Sequence, residues 1–143
     1  MPDDMNRGLA ALVSTRLTSN ADSAPVFGTR VFPVIAPQNT PYPLLCYRRL
    51  SVQTPAAMSG TVERPVVTLE VKIYDRTYAG AVDAAKAARK ALNGFRGTLG
   101  NCTVQRTTFI SETDNAEIPI DAQMLPDYTV TQTYELRCED VTA

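Results

Sequence analysis

Val66-Val-Thr-Leu-Glu-Val-Lys-Ile-Tyr74 runs directly into Asp75-Arg-Thr-Tyr-Ala-Gly-Ala-Val-Asp-Ala-Ala-Lys-Ala-Ala-Arg-Lys-Ala-Leu-Asn-Gly94, a strand pattern handed to a helix pattern. In the first part Val67, Leu69, Val71 and Ile73 fall on one face, and Thr68, Glu70, Lys72 and Tyr74 on the other. That period of two is the mark of a half-buried strand. In the second part alanine supplies high helix propensity, and Asp75 or Thr77 can satisfy an orphan N–H of the first turn. Gly94 stops the helix, because glycine adopts the left-handed conformation without steric cost. Tyr78, Ala81, Val82, Ala85, Ala88 and Leu92 are expected to form the apolar stripe that lies on the sheet, with Asp83, Lys86, Arg89 and Lys90 elsewhere.

Other elements follow outward from this pair. Met5 to Leu17 reads as a first helix with Met5, Leu9, Leu12, Val13 and Leu17 on one face, and Asp3 and Asp4 at its favourable N-terminal end. Thr18 to Pro25 has the composition of a loop. Arg30 to Ile35 is a short β-branched run whose Pro33 confines it to a sheet edge or a bulge. Ala36 to Pro43 carries three prolines and connects rigidly to a strand at Leu44 to Val52. That strand places Leu45 and Tyr47 on one face and Leu44, Cys46, Leu50 and Val52 on the other, which implies cover on both sides.

Thr54 to Glu63 has few large apolar residues and is expected to be a long mobile loop. Residues 94–100 read as a glycine-rich turn, and Cys102 to Ile110 as a further strand. Ser111 to Asp127 is acidic and proline-containing, and is expected to be an exposed, mobile loop. Tyr128 to Cys138 alternates cleanly, with Gln132 standing within the inward set. The chain therefore reads as one α+β domain over residues 1–143, a mainly antiparallel sheet of about five strands with two helices packed on one face.

Composition narrows the chemistry. The 143-residue chain has no histidine and no tryptophan, and is 44% hydrophobic, as a globular domain is. Without histidine the commonest general base and metal ligand are missing. Three cysteines without CxxC spacing read as buried free thiols. The glycines at 94, 97 and 100 follow a helix instead of opening one, so they do not form a phosphate loop. No Asx-x-Asx-Gly spacing marks a cation site. No apolar run reaches the roughly 20 residues needed to span a bilayer. No catalytic, cofactor-binding or metal-binding residues are therefore expected, and no membrane partner.

Charge is unevenly placed. Of 14 basic residues 13 precede Thr107, along with 7 of the 15 acids; beyond it Arg137 alone faces the remaining 8 acids. Arg76, Lys86, Arg89, Lys90 and Arg96 form a basic helix face without the interleaved aromatics of a single-strand platform. A small non-enzymatic module for nucleic acid or another ligand is the alternative that this face leaves open.

Several stretches together resemble a known family. The Arg30-Val-Phe-Pro33 strand, the Ala36-Pro-Gln38 to Pro43 element, a strand with a central Tyr47, the Tyr74-Asp-Arg-Thr-Tyr78 junction and the helix ending in Ala91-Leu-Asn-Gly94 are similar to those of tail completion proteins of long-tailed bacteriophages, also called tail terminators. The resemblance spans roughly residues 5–138; the acidic 111–127 segment is longer than the usual form. It implies a non-enzymatic virion subunit, forming a homohexameric ring at the head-proximal end of the tail tube. There the ring would stop tube growth and join the tail to the head connector. The implied partners are copies of itself, the tube protein, the connector protein and phage DNA passing through the lumen without sequence-specific contact. The implied location is the virion tail, after assembly in the host cytoplasm. Arg48, Arg49, Met58, Glu112, Asp114 and Glu117 are the candidate interface residues for neighbouring subunits, tail or head.

Overall fold

The computed structural model describes residues 2–37, 40–53, 65–99, 102–117 and 127–140. The elements run α1 (Pro2–Ser19), α2 (Ala24–Phe27), β1 (Val31–Pro33), β2 (Leu44–Gln53), β3 (Val66–Asp75), α3 (Tyr78–Leu92), β4 (Gly97–Leu99), β5 (Cys102–Glu117) and β6 (Asp127–Asp140). The strands form one sheet in the order β1-β2-β3-β6-β5-β4. Only β1 and β2 pair parallel; every other neighbour is antiparallel. The architecture is α+β as expected, with six strands instead of about five. The additional strand, β4, is three residues within the stretch read as a turn.

The period-two pattern of β3 is realised completely. Val67, Leu69, Val71 and Ile73 are all buried, and each heads a row across the sheet. Leu45, Ile73 and Val130 align; so do Tyr47, Val71 and Gln132, and so do Leu69, Tyr134 and Phe109. Since alternate residues point to opposite faces, these rows make one continuous inward face, apolar except for Gln132. Against it pack Leu9, Leu12, Val13 and Leu17 of α1 and the alanines of α3. Each large side chain fully removed from water contributes about 1.5–3 kcal/mol.

Thr77 is the residue that caps α3, its hydroxyl accepting from the Gly80 N–H at 3.1 Å. The buried residues are Ala81, Ala84, Ala85, Ala87, Ala88, Ala91 and Leu92, a stripe rotated from the expected one. Tyr78 and Val82 are exposed. Methyl side chains let the helix axis approach the sheet, so the larger residues are turned to the rim. At the other end Gly94 takes φ 78° and turns the chain toward β5. Arg16 of α1 donates to the Ala91 carbonyl at 2.7 Å and lies over Phe95, completing the C-terminus of α3.

Three further expectations change. The loop at Thr18 to Pro25 contains the start of α2, held by buried Ser23 donating to the Leu17 carbonyl. Residues 111–117 of the expected acidic loop are strand, because β6 offers them an unbroken partner as far as Asp127. Leu50 and Val52, expected to be covered on the face of Leu44 and Cys46, are exposed: the bulge between Arg49 and Ser51 takes Leu50 out of the ladder and turns Val52 to the face of Val67. Thr54–Glu63, with Met58, lies outside the described residues, as do residues 118–126.

Candidate assembly interface

Among the described residues the sheet's two edges are each covered at one end and open at the other. On the first edge, β1 pairs only with Leu45, Cys46 and Tyr47. It stops because Pro33 has no N–H and because the chain then turns away. The Val34 N–H donates to the Tyr47 carbonyl at 2.8 Å and the Ile35 N–H to the Pro33 carbonyl at 2.7 Å. Val34 has φ 64°, a rare conformation for a β-branched residue. Beyond this point Arg48–Gln53 has no strand partner but β3 among the described residues. Arg48 is held over Glu70 at 2.9 Å. Arg49 is exposed, with no ion-pair or hydrogen-bond partner among the described residues. A bulge falls between Arg49 and Ser51, leaving Leu50 43% exposed.

The second edge is β5. Its first residues pair with β4, and the end of α3 then takes over: the Gly94 N–H donates to the Thr107 carbonyl at 2.9 Å, and the Asn93 side chain accepts from the Phe109 N–H at 3.2 Å. From Ile110 to Glu117 the outward side has no strand neighbour among the described residues. Ile110 sits at a bulge and is 54% exposed. The Ala116 N–H is taken by the side chain of Asn115, which blunts the far end of the edge.

Glu112 and Asp114 stand opposite Gln132 and Val130 and so point to the helix side. Fully buried Gln132 uses both amide hydrogens, one on the Ala85 carbonyl and one on Glu112, each at 2.8 Å. Its oxygen accepts from Tyr134 at 2.7 Å. Arg89 approaches Glu112 to 3.5 Å. Tyr78 donates to Asp114 at 2.6 Å, and the nearby carboxylate raises the tyrosine pKa. Polar contacts thus run from the core through Gln132 to Glu112 at the edge, and a separate contact from exposed Tyr78 holds Asp114.

The Cys46 thiol is buried and its pKa pushed up, which disfavours the nucleophilic thiolate. No cluster of three metal-ligating side chains occurs among the described residues. A cleft of about 370 Å³ between the proline-rich segment and β2–β3 contains Cys46, with Tyr42 donating to Asp127 at 2.8 Å and Arg76 over the Tyr42 ring. Among the described residues no helix is long and apolar enough to cross a membrane.

The family model of the tail completion protein gp17 matches residues 11–122. The chain belongs to this tail completion family. No curated relative matches it. Among solved structures, a chain in the virion of a native gene transfer agent particle has the same fold, with a TM-score of 0.70 and 19% identity. The likeness covers 94% of this chain and 97% of that one. Membership makes the protein a structural component of a phage-like virion tail.

For this tail completion protein the residues singled out in sequence divide between the two edges. Arg48 and Arg49 lie on β2; Glu112, Asp114 and Glu117 lie on β5, with β3 and β6 between. They are not brought together within one chain. Lys86 and Lys90 stay exposed on α3, and Arg89 is the basic helix residue that reaches Glu112. Tyr78 and Gln132, which position the acids, were not among the candidates. Gln132 carries a readable signal, a polar residue in the inward register of an otherwise apolar strand. Tyr78 carries none, because its partner is 36 residues away.

Proposed function

We propose that this tail completion protein forms a closed ring, of six copies by the family resemblance, at the head-proximal end of the tail tube. The ring ends tube growth, presents a surface to the head connector and leaves a lumen for DNA. Assembly takes place in the host cytoplasm. The observation that carries the reading is the pair of edges on one sheet, one basic and one acidic, each half-open among the described residues. Distinct edges favour head-to-tail contacts between copies, and such contacts close into rings when the rotation allows.

Light scattering after size exclusion, together with negative-stain images of the free protein and of purified tails, tests the reading. A discrete ring mass, or a ring at the head end of the tail, is expected. A monomer in both settings overturns it. Salt-sensitive retention of the monomer on DNA would instead favour a nucleic-acid-binding module.

A further inference from the structure

The geometry points to how neighbouring copies join: the open part of β2, Arg48–Gln53, pairs antiparallel with the open part of β5, residues 110–117, of a second copy. The inference rests on the ring reading above and adds the surface that makes it.

Strand direction comes first. β2 is antiparallel to β3, β3 to β6 and β6 to β5, so β2 and β5 run in opposite senses at opposite edges of the sheet. A copy set beside the first with its helices on the same side therefore presents β5 to β2 in the antiparallel sense. No inversion of the second copy is needed.

The covered ends complement each other. β1 covers β2 at the level of Leu45–Tyr47, whereas β4 and the end of α3 cover β5 only as far as Phe109. Across the sheet, Arg48 is level with Glu70, Thr133 and Ser111, and Gln53 with Val66, Arg137 and Arg106. Without a shift, each open segment would meet a covered one. A stagger of about six residues, roughly 20 Å at the strand rise, brings open against open and seats each short covering strand beyond the end of the other. Four full strands per copy at about 4.8 Å spacing give a similar width, so the stagger corresponds to a strand tilt of roughly 45°. Closed sheets have tilts of about 35–45°, so the pairing is compatible with closure.

Charge and side-chain direction agree with this pairing. Arg49 is opposite inward-facing Leu69, and Glu112 and Asp114 are opposite inward-facing Gln132 and Val130. Arg49, unpaired among the described residues, and the acids of the other edge thus lie on the same side of the joined sheet. Arg48 is already paired with Glu70, leaving Arg49 as the charge available across the junction. Asp114 is held by a neutral tyrosine, so its charge is not cancelled at home. Each open edge also exposes apolar surface, Leu50 and Val52 on one and Ile110 on the other.

The test combines a cross-link with a charge exchange. Ser51→Cys and Thr113→Cys together lie on the outer face of the two edges; oxidation of the assembled double variant is expected to give a ladder of covalent multimers, which neither single variant gives. Arg49→Glu and Asp114→Lys separately are expected to weaken self-association at least about tenfold, and together to restore it. Circular dichroism and melting of each variant separate an interface effect from misfolding. A wild-type ring accompanied by no multimer ladder and by unaltered association of the charge variants overturns this pairing and leaves the ring reading standing. A wild-type monomer, alone and in purified tails, overturns both.

Discussion

The centre of the sheet and its two edges are built from the same strands by different rules. In β3 and in β6 as far as Cys138, alternation is unbroken, both neighbours are full strands, and the inward residues are almost completely buried. In β2 and β5 the pairing to the inner neighbour is interrupted by bulges, and among the described residues the outer side is covered for only part of its length. Bulges and charged edge residues are devices that limit indiscriminate strand addition. The difference teaches that stability and assembly are held by separate residues: the centre holds the fold, and the edges choose the neighbour.

The largest expected effect breaks the centre. Leu69→Ala should cost about 2–5 kcal/mol, since a fully buried leucine leaves a cavity between α1, β2 and β6. Urea unfolding measures it; a loss below about 1 kcal/mol would mean that the inward row does not carry the stability assigned to it.

A second substitution sits where centre and edge meet. Gln132→Ala removes the partner of the Tyr134 hydroxyl and one partner of Glu112, and should cost about 1–3 kcal/mol. Hydrogen exchange should speed up in residues 110–117 more than in β3. Uniform acceleration would show that the polar relay does not position the edge.

Alkaline titration sharpens the comparison without a mutation. Burial raises the pKa of Tyr134, and also those of Tyr47 and Cys46, above ordinary values of 10.0, 10.0 and 9.0. The folded state then holds these protons more tightly than the unfolded one. Their contribution is fully present below about pH 9 and is lost as pH rises through the folded pKa values. Urea midpoints from pH 7 to 11 should be flat and then fall, and Tyr134→Phe should make the alkaline fall shallower. An unaltered slope in that variant would place the titration elsewhere.

The smallest effect on folding is expected at the edge. Leu50→Thr and Arg49→Gln should change the unfolding free energy by no more than about 0.5 kcal/mol, because both residues are exposed. Self-association, read by light scattering, should nevertheless weaken. Fold stability and association falling together would contradict the division of labour.

How much was legible follows the same line. The β3–α3 unit, the inward set of β6 and the edge position of the Pro33 strand could be read directly, because period and proline chemistry act locally. The rim positions of Tyr78 and Val82 could not, because a six-residue apolar stripe on a helix of alanines does not say which of its margins meets the sheet. The strand over residues 111–117 is illegible for a related reason: its acids and polar residues have no strand signal of their own, and the ladder to β6 supplies the order. The candidate charges were visible as residue types, but their placement on opposite edges was not.

By itself the sequence determined the fold class, the core strand and its helix, the absence of histidine chemistry and the uneven distribution of charge, since composition and periodicity act through local geometry and burial. The order of strands, the two half-covered edges and the anchoring of Glu112 and Asp114 by Gln132 and Tyr78 were decided only in the tertiary structure. These features depend on which distant segments become neighbours, and hydrogen bonding between residues far apart in the chain leaves little trace in any one stretch of it.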